Sequence, residues 1–188
     1  MTPGRAELRY EATIGRLDHP AFEAHVRAQA TSALRLAAVV LGTPDGADDV
    51  VQVAMERAWS SISRYDTARP FRPWFLRIVV NTARNDRRQR GRQAALRLRA
   101  ERERADPPAS AVASAEDAVI GALDRRRVLA ALNRLDVDDR TVLALRYFEQ
   151  LGEADMVDVL RCPAGTVKSR LSRARGRLRD ELETRGDG

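Results

Sequence analysis

The chain has 188 residues, of which 44% are hydrophobic and 32% charged, and its formal net charge is +6. This length and apolar content allow one or two small domains with real cores, and the basic balance favours polyanionic partners. No apolar run reaches the ~18 residues of a membrane span, and a single cysteine excludes an internal disulfide. We therefore expect a cytoplasmic chain with no membrane insertion, no metal and no other cofactor.

Three helices are predicted in the first half of the chain. Residues 1–20 carry scattered proline and glycine and are interpreted as a loose N-terminal arm. Apolar residues then recur at helical spacing over 21–41, until a glycine and a proline end the pattern. A second helix is predicted over 48–62. A loop over 63–73 leads to a third helix over about 74–90.

A change in composition separates this half from the next. Residues 91–118 are rich in Arg, Glu and Ala and then in Pro and small residues, which predicts a linker whose Arg/Glu part is compatible with a helix. Helical patterns occur again at about 119–135, 138–149, 153–161 and 163–183. Strand patterns are nearly absent. The predicted fold is all-α: two small helical domains joined by a flexible linker, the C-terminal one a helix-turn-helix.

The last two predicted helices form this helix-turn-helix, joined by the short turn CPAG at 162–165. Apolar residues at steps of three or four predict one buried stripe on the final helix. Its other faces carry Lys, Arg and Ser, and no acidic residue occurs between Cys162 and Arg179. A solvated, arginine-rich surface helix is the alternative. The preceding helix and the turn favour a helix in the DNA major groove, because such motifs contact bases from the start of their second helix.

The residues of this helix divide by the contact expected of them. The candidates for base edges are Lys168, Ser169, Ser172 and Arg173. The candidates for phosphates, or in part for intramolecular ion pairs, are Arg170, Arg175 and Arg177.

The predicted helix over 74–90 has a second polar face. Its polar side chains lie opposite an apolar face: Arg77, Asn81, Arg84, Asn85 and Arg88. Asn offers a donor and an acceptor, and Arg offers a fork of donors, so such a face can contact nucleic acid. The preceding loop sets Tyr65, Phe71 and Trp74 beside arginines. Such rings can stack on an unpaired base, or they can fill the core beneath the loop.

Several segments together resemble bacterial RNA polymerase sigma factors of the extracytoplasmic-function group. The likeness covers about residues 21–90 and 119–183, and the order and spacing of its segments within one chain make it specific. The segments are DDVVQ at 48–52 with AW at 58–59, RPFRPWFLRIVVNTARN at 69–85, LRYF at 145–148 and GTVKSRL at 165–171.

The resemblance implies a protein that makes no covalent bonds itself and directs core RNA polymerase to promoters. Residues 21–90 would be sigma region 2, which binds the clamp of the largest subunit and melts and captures the −10 element. Residues 119–188 would be region 4, which binds the −35 element and the flap of the second-largest subunit. Residues 91–118 would link them, reaching up to ~90 Å if extended. An anti-sigma factor is a further implied partner, and a small-molecule substrate is not expected.

The resemblance also assigns residues to each role. The clamp-binding residues would be Asp48, Asp49, Gln52, Glu56 and Arg57. The −10 residues would be Asp66, Arg69, Phe71, Arg72, Trp74, Asn81, Arg84, Asn85 and Arg88. The −35 residues would be Thr166, Lys168, Ser169, Arg170, Ser172, Arg173 and Arg175.

Two positions depart from the family pattern. Val157 stands where such a helix-turn-helix often has a small residue, and Arg161 stands where glycine is common before Cys-Pro. Both changes are expected to adjust the angle between the two helices.

Two other kinds of protein remain as alternatives. A sigma-like decoy that sequesters an anti-sigma factor needs no DNA-binding face, so the retained Arg84, Asn85, Lys168, Arg170 and Arg173 argue against it. A free-standing helix-turn-helix regulator leaves the segment 65–90 unexplained. An enzyme is not expected, because the sequence shows no nucleophile–base pair, phosphate loop or paired catalytic carboxylates.

Overall fold

A computed structural model describes residues 18–102 and 121–184, and within them the side chains of 18–96 and 126–184. This part is helical, with no β-strand, as the sequence predicts. The N-terminal domain consists of α1 (His19–Leu41), α2 (Ala47–Ser60) and α3 (Phe71–Arg102). The C-terminal domain consists of α4 (Gly121–Arg134), α5 (Val137–Leu143), α6 (Glu153–Leu160) and α7 (Ala164–Glu183).

Parts of the predicted arm and linker lie outside the described residues, namely 1–17 and 103–118. Across the described helices, none combines the length and the apolar character needed to cross a bilayer.

Helix α1 begins two residues earlier than the sequence pattern predicts. The Asp18 carboxylate accepts a hydrogen bond from the Ala21 N–H at 2.9 Å and caps the helix. Pro20 occupies the first turn, where its missing N–H has no helical partner to lose. The interpretation of residues 18–20 as loose arm is therefore wrong.

Helix α3 is longer than predicted at both ends. It begins at Phe71 instead of Trp74, so Pro73 lies in its first turn. It then continues to Arg102, through the Arg/Glu-rich start of the predicted linker. Its 32 residues give a rod of ~48 Å.

The three N-terminal helices pack against one another around a buried apolar core. Phe75, Leu76 and Val79 of α3 are fully buried against residues such as Leu36 and Val40 of α1. The tight connection from α1 to α2 uses Gly42, whose φ of +87° lies in the left-handed region, and its N–H donates to the Ala38 carbonyl at 2.9 Å. Glycine adopts that region without steric penalty.

The C-terminal domain is built around α7. Val167 and Ala174 of its apolar stripe are fully buried, while Leu171 and Leu178 are partly buried against the same core. Helix α5 continues into a π-helical turn over Ala144–Phe148. The Glu149 N–H closes that turn by donating to the Ala144 carbonyl at 3.0 Å. Such wider turns are rare, and they change the direction in which the chain leaves the helix.

The two domains are in contact. Helix α3 packs along α6, and α1 packs against α5 and the π-helical turn. The buried apolar side chains of both domains form one continuous cluster. The sequence predicts the two domains, and the structure adds an interface between them.

Two glycines give a matched test of this fold. Gly42→Ala places a Cβ in left-handed backbone, 2.5 Å from a guanidinium nitrogen of Arg140, so we expect it to lower the free energy of unfolding by roughly 1–2 kcal/mol. Gly91 lies within α3 with open space around it. Gly91→Ala should raise stability by about 0.5–1 kcal/mol. Urea unfolding of both variants measures the difference, and equal stabilities would contradict the assignment.

Candidate nucleic-acid interface

The loop before α3 forms a small, ordered pocket. The Asp66 carboxylate accepts from the Ala68 N–H at 3.0 Å, and the Arg69 N–H donates to the Asp66 carbonyl at 3.0 Å. The Tyr65 hydroxyl donates to the Arg69 carbonyl. The loop thus borders a cavity of about 330 Å³, whose lining residues are Arg64, Tyr65, Asp66, Arg69, Pro70, Trp74, Arg77, Asp158 and Arg161. A cavity with rings and guanidinium groups suits a planar, polar ligand such as a base.

The aromatic rings near this loop have two different roles. Phe71 is 7% exposed and contacts the rings of Phe22, Tyr65 and Phe75. It supports the loop from the core, so the structure gives its predicted stacking role no exposed face. Trp74 is partly exposed and borders the cavity, with its ring 4.8 Å from that of Tyr65. Trp74 is therefore the better candidate for stacking.

The polar face of α3 is largely as predicted. Asn81, Asn85 and Arg88 are exposed. Arg84 is only 19% exposed, and one of its terminal nitrogens lies 2.7 Å from an Asp138 carboxylate oxygen of the C-terminal domain. Burial lowers the pKa of the Arg84 guanidinium; Asp138 opposes that shift and the nearby Arg170 adds to it.

The final helix α7 presents its predicted polar face to solvent. Lys168, Ser169, Ser172, Arg173 and Arg175 are exposed, whereas Thr166 and Arg170 are partly buried. The Ser169 hydroxyl donates to the Thr166 carbonyl, and the Arg173 Nε donates to the Ser169 carbonyl. These bonds are local, so the side chains can turn to another acceptor. Lys168 also lies 3.3 Å from Glu153 in an exposed ion pair.

Arg177 has the intramolecular role that the sequence allowed. Its guanidinium pairs with Asp136 at 3.0 Å and with Asp139. Asp136 is also the N-cap of α5, accepting from the Asp139 N–H at 2.8 Å. That backbone hydrogen bond lowers the pKa of Asp136. Arg177 therefore fixes α7 against the start of α5.

The turn of the helix-turn-helix contains the departure noted in the sequence. Arg161 ends α6 with a φ of +53°, in the left-handed region, and its N–H donates to the Val157 carbonyl at 2.9 Å. This is the position where glycine is favoured as a helix C-cap. The backbone keeps the glycine-like conformation although the residue is arginine.

Helix α2 carries a third polar face. The five predicted clamp-binding residues are exposed on it: Asp48, Asp49, Gln52, Glu56 and Arg57. Arg57 also donates to the Thr82 hydroxyl of α3 at 3.1 Å. This face mixes acids with one anchored arginine, unlike the basic faces of α3 and α7.

The basic faces of α3 and α7 meet across a cleft of about 630 Å³. The six arginines of this cleft are Arg84, Arg87, Arg88, Arg170, Arg173 and Arg177. Three carboxylates share the cleft: Asp136, Asp138 and Asp139. The two faces assigned separately from the sequence therefore border one cavity in this conformation.

Sequence reasoning missed several charged side chains at the domain contact. Glu149 is 1% exposed, and burial raises the pKa of its carboxyl although Arg72 opposes the shift. Arg140 is also 1% exposed, and burial, with Arg87 nearby, lowers its pKa to about 10. Nothing local in the sequence indicates that either side chain is buried.

The fold and these faces define a two-domain helical DNA-binding protein with a helix-turn-helix at one end. The family models agree with this class: Sigma-70 region 2 matches residues 22–93, and Sigma-70 region 4 matches residues 125–178. The chain belongs to the RNA polymerase sigma factors, in the extracytoplasmic-function group.

Relatives of known name cover most of the chain. It is 33% identical to RNA polymerase sigma-H factor of Pseudomonas aeruginosa over 141 residues, 73% of each chain. It is 30% identical to RNA polymerase sigma-E factor of Streptomyces avermitilis over 166 residues, 87% of this chain and 86% of the relative. Identity to the ECF sigma factor SigW of Bacillus subtilis is 32%, over 76% of this chain and 79% of that one.

Two solved structures share the fold across both domains. CnrH, in complex with the cytosolic domain of CnrY, is 26% identical with a TM-score of 0.64, over 90% of this chain and 92% of that one. The sigma factor RpoE of Bartonella quintana, in complex with the anti-sigma factor NepR, is 24% identical with a TM-score of 0.67, over 87% and 98%.

The left-handed conformation at Arg161 yields a prediction for stability. Arg161→Gly removes the steric cost of that conformation and should leave the free energy of unfolding equal or higher by up to about 1 kcal/mol. Arg161→Val adds a branched Cβ and should lower it by roughly 1–2 kcal/mol. Chemical denaturation of the two variants measures the gap, and the assigned backbone is wrong if they unfold at the same midpoint.

Proposed function

We propose that this sigma factor binds core RNA polymerase and directs promoter-specific initiation, with the N-terminal domain capturing the −10 element and the C-terminal domain binding the −35 element. The observation that carries the proposal is the coincidence of two basic faces with the two matched sigma regions. Working on the chromosome with polymerase also implies a cytoplasmic, nucleoid-associated protein.

The −10 element would be captured by the loop cavity and the polar face of α3. A flipped base would enter the cavity beside Trp74, which Asp66 and Arg69 also line. Asn81, Asn85 and Arg88 are exposed further along the same helix, where the adjoining strand or duplex would lie. Loops and rings suit an unpaired base, and a helix face suits the adjoining backbone.

The −35 element would be bound by α7 in the major groove. Ser169, Ser172 and Arg173 are exposed near the start of the helix, where this motif contacts base edges. Lys168 is exposed beside them and is a further candidate for base edges, and Arg175 would contact phosphates. Thr166 and Arg170 are half-buried and would contribute at the margin of the interface.

Core polymerase would be held at two places. The exposed face of α2 would bind the clamp of the largest subunit through its five polar residues. The C-terminal domain has an apolar cavity of about 370 Å³, whose lining includes Val128, Leu132, Leu143, Phe148, Leu178 and Leu182. Tyr147 and Phe148 at its edge are 52% and 40% exposed. An apolar segment of the flap would fill this cavity.

An anti-sigma factor would hold the protein inactive in the resting cell. The similar structures of CnrH and Bartonella RpoE, each solved with a second protein, support this part of the proposal.

Run-off transcription tests the main proposal. Core polymerase plus this protein should produce discrete transcripts from genomic fragments, with starts that share −35 and −10 elements. Core polymerase alone is the control. The proposal fails if no genomic promoter gives a transcript that depends on the added protein.

Arg173→Ala tests the −35 role. The loss of one base contact should reduce promoter use by ~1–3 kcal/mol, which is about 5- to 150-fold, while affinity for core polymerase stays unchanged. The matched control is Arg27→Ala, because Arg27 is exposed on α1 and has no assigned role. Equal loss of promoter use and core binding in Arg173→Ala would indicate misfolding and reject the assignment.

Co-purification tests the anti-sigma partner. Tagged protein from uninduced cells should carry a stoichiometric second protein that blocks run-off transcription when added back. Purification of the protein alone and fully active would reject this part of the proposal.

A further inference from the structure

Three arginines assigned to −10 binding are paired with acidic residues of the C-terminal domain. Arg84 pairs with Asp138 at 2.7 Å, and Arg69 pairs with Asp158 at 3.4 Å. Arg72 pairs with Glu149 at 2.7 Å. In every pair, the cation comes from the −10 face and the anion from the other domain.

Glu149 makes the deepest of these contacts. Its side chain is 0% exposed and lies between α1 and α3, where it accepts from the Arg72 guanidinium and from the Ser32 hydroxyl. Arg72 is held in place by Gln29, which accepts from its Nε at 3.0 Å. The π-helical turn places Glu149 here, because its wider spacing directs the residue toward the N-terminal domain.

Asp158 and Arg161 line the loop cavity from the C-terminal side. Both line the same cavity as Trp74, Asp66 and Arg69, which is the proposed site for a flipped base. The Asp158 carboxylate, which pairs with Arg69, therefore borders the position proposed for the base. The carboxylates also stand beside the guanidinium groups where phosphates would have to lie.

We infer that the acidic surface of the C-terminal domain, formed by Asp138, Glu149 and Asp158, is an intramolecular occupant of the −10 face and competes with the promoter strand. The inference rests on the proposed −10 role of that face. The chain therefore closes on itself with no second protein, and DNA binding requires the two domains to separate.

The contact between the domains also buries polar groups that destabilise it. Arg140 is buried at the contact, beside Gly42, and two of its three guanidinium nitrogens have no hydrogen-bond acceptor in the described part of the chain. Arg84 is an ion-pair partner of Asp138, but its Nε is likewise buried without an acceptor there. Buried, unsatisfied donors destabilise the state that buries them. The closed state can therefore open when a better partner is present.

Two sets of full-length variants test the competition. Asp138→Asn/Asp158→Asn removes the two exposed anions, and Glu149→Gln removes the buried charge but keeps an acceptor for Arg72. The matched control for the double variant is Glu23→Gln/Asp45→Asn, and Glu23→Gln alone is the control for Glu149→Gln. Each control removes the same charge as its test variant, from N-terminal acids whose described contacts include no C-terminal residue. The affinity of each variant and control for a fluorescein-labelled pool of random 12-nucleotide single-stranded DNA is measured by fluorescence anisotropy at one fixed salt concentration.

Energy transfer reports domain opening in the same proteins. Both tryptophans of the chain, Trp59 and Trp74, lie in the N-terminal domain. An acceptor dye on Thr184→Cys, in a Cys162→Ser background, places the second label at the end of α7. Transfer from tryptophan to the dye falls when the domains separate.

The competition predicts that both test variants bind the strand about threefold to tenfold more tightly than the control, with reduced energy transfer before DNA is added. The inference is overturned if energy transfer in the test variants equals that in the control. It is also overturned if energy transfer falls but the variants bind the strand no more tightly than the control does. Run-off transcription by the unaltered protein separates the two claims. If the unaltered protein supports transcription but the variants keep their domains together, only the inference fails. If the variants open, but neither they nor the unaltered protein binds the strand or initiates transcription, the proposed −10 role fails as well.

Discussion

A guanidinium group keeps its proton inside a protein, so each arginine needs an acceptor or water. This requirement applies throughout the molecule, because all but one of its 33 lysine and arginine residues are arginine. Some guanidinium groups are satisfied by helix ends, as Arg87 is by the Leu41 carbonyl at 3.0 Å. Others are satisfied by carboxylates, as Arg177 is by Asp136. Further arginines are exposed on α3 and α7, where phosphates are the natural acceptors.

The sequence predicted the features that depend on local periodicity. The apolar stripe of α7 and its exposed Ser169, Ser172 and Arg173 follow from 3.6 residues per turn, and the structure confirms them. The start of α3 was harder to place, because a proline in the first turn of a helix looks the same as a proline in a loop. Phe71 was therefore included among the loop residues expected to bind the −10 element, with a core position left open as the alternative, and the structure places it in the core.

Partners that are distant in the sequence could not be predicted. Arg72 and Glu149 are separated by 77 residues, and no local pattern links them. The burial of Arg140 likewise depends on how two domains meet, which periodicity within one helix cannot determine. The sequence did identify Arg161 as unusual, and the structure supplies the physical reason: a non-glycine residue in left-handed backbone. Helical periodicity thus predicted the polar faces of the helices, whereas the contact between the domains could be seen only in the three-dimensional structure.

The π-helical turn at Ala144–Phe148 makes the chain sensitive to a change in length of a single residue. Deleting one residue there would restore ordinary α-helical spacing and rotate the next segment by about 100° relative to α5. Glu149 would then no longer point between α1 and α3, although α7 and its basic face would remain intact. A change in length of one residue at this turn would therefore alter the contact between the domains with no substitution on either proposed DNA-contacting surface.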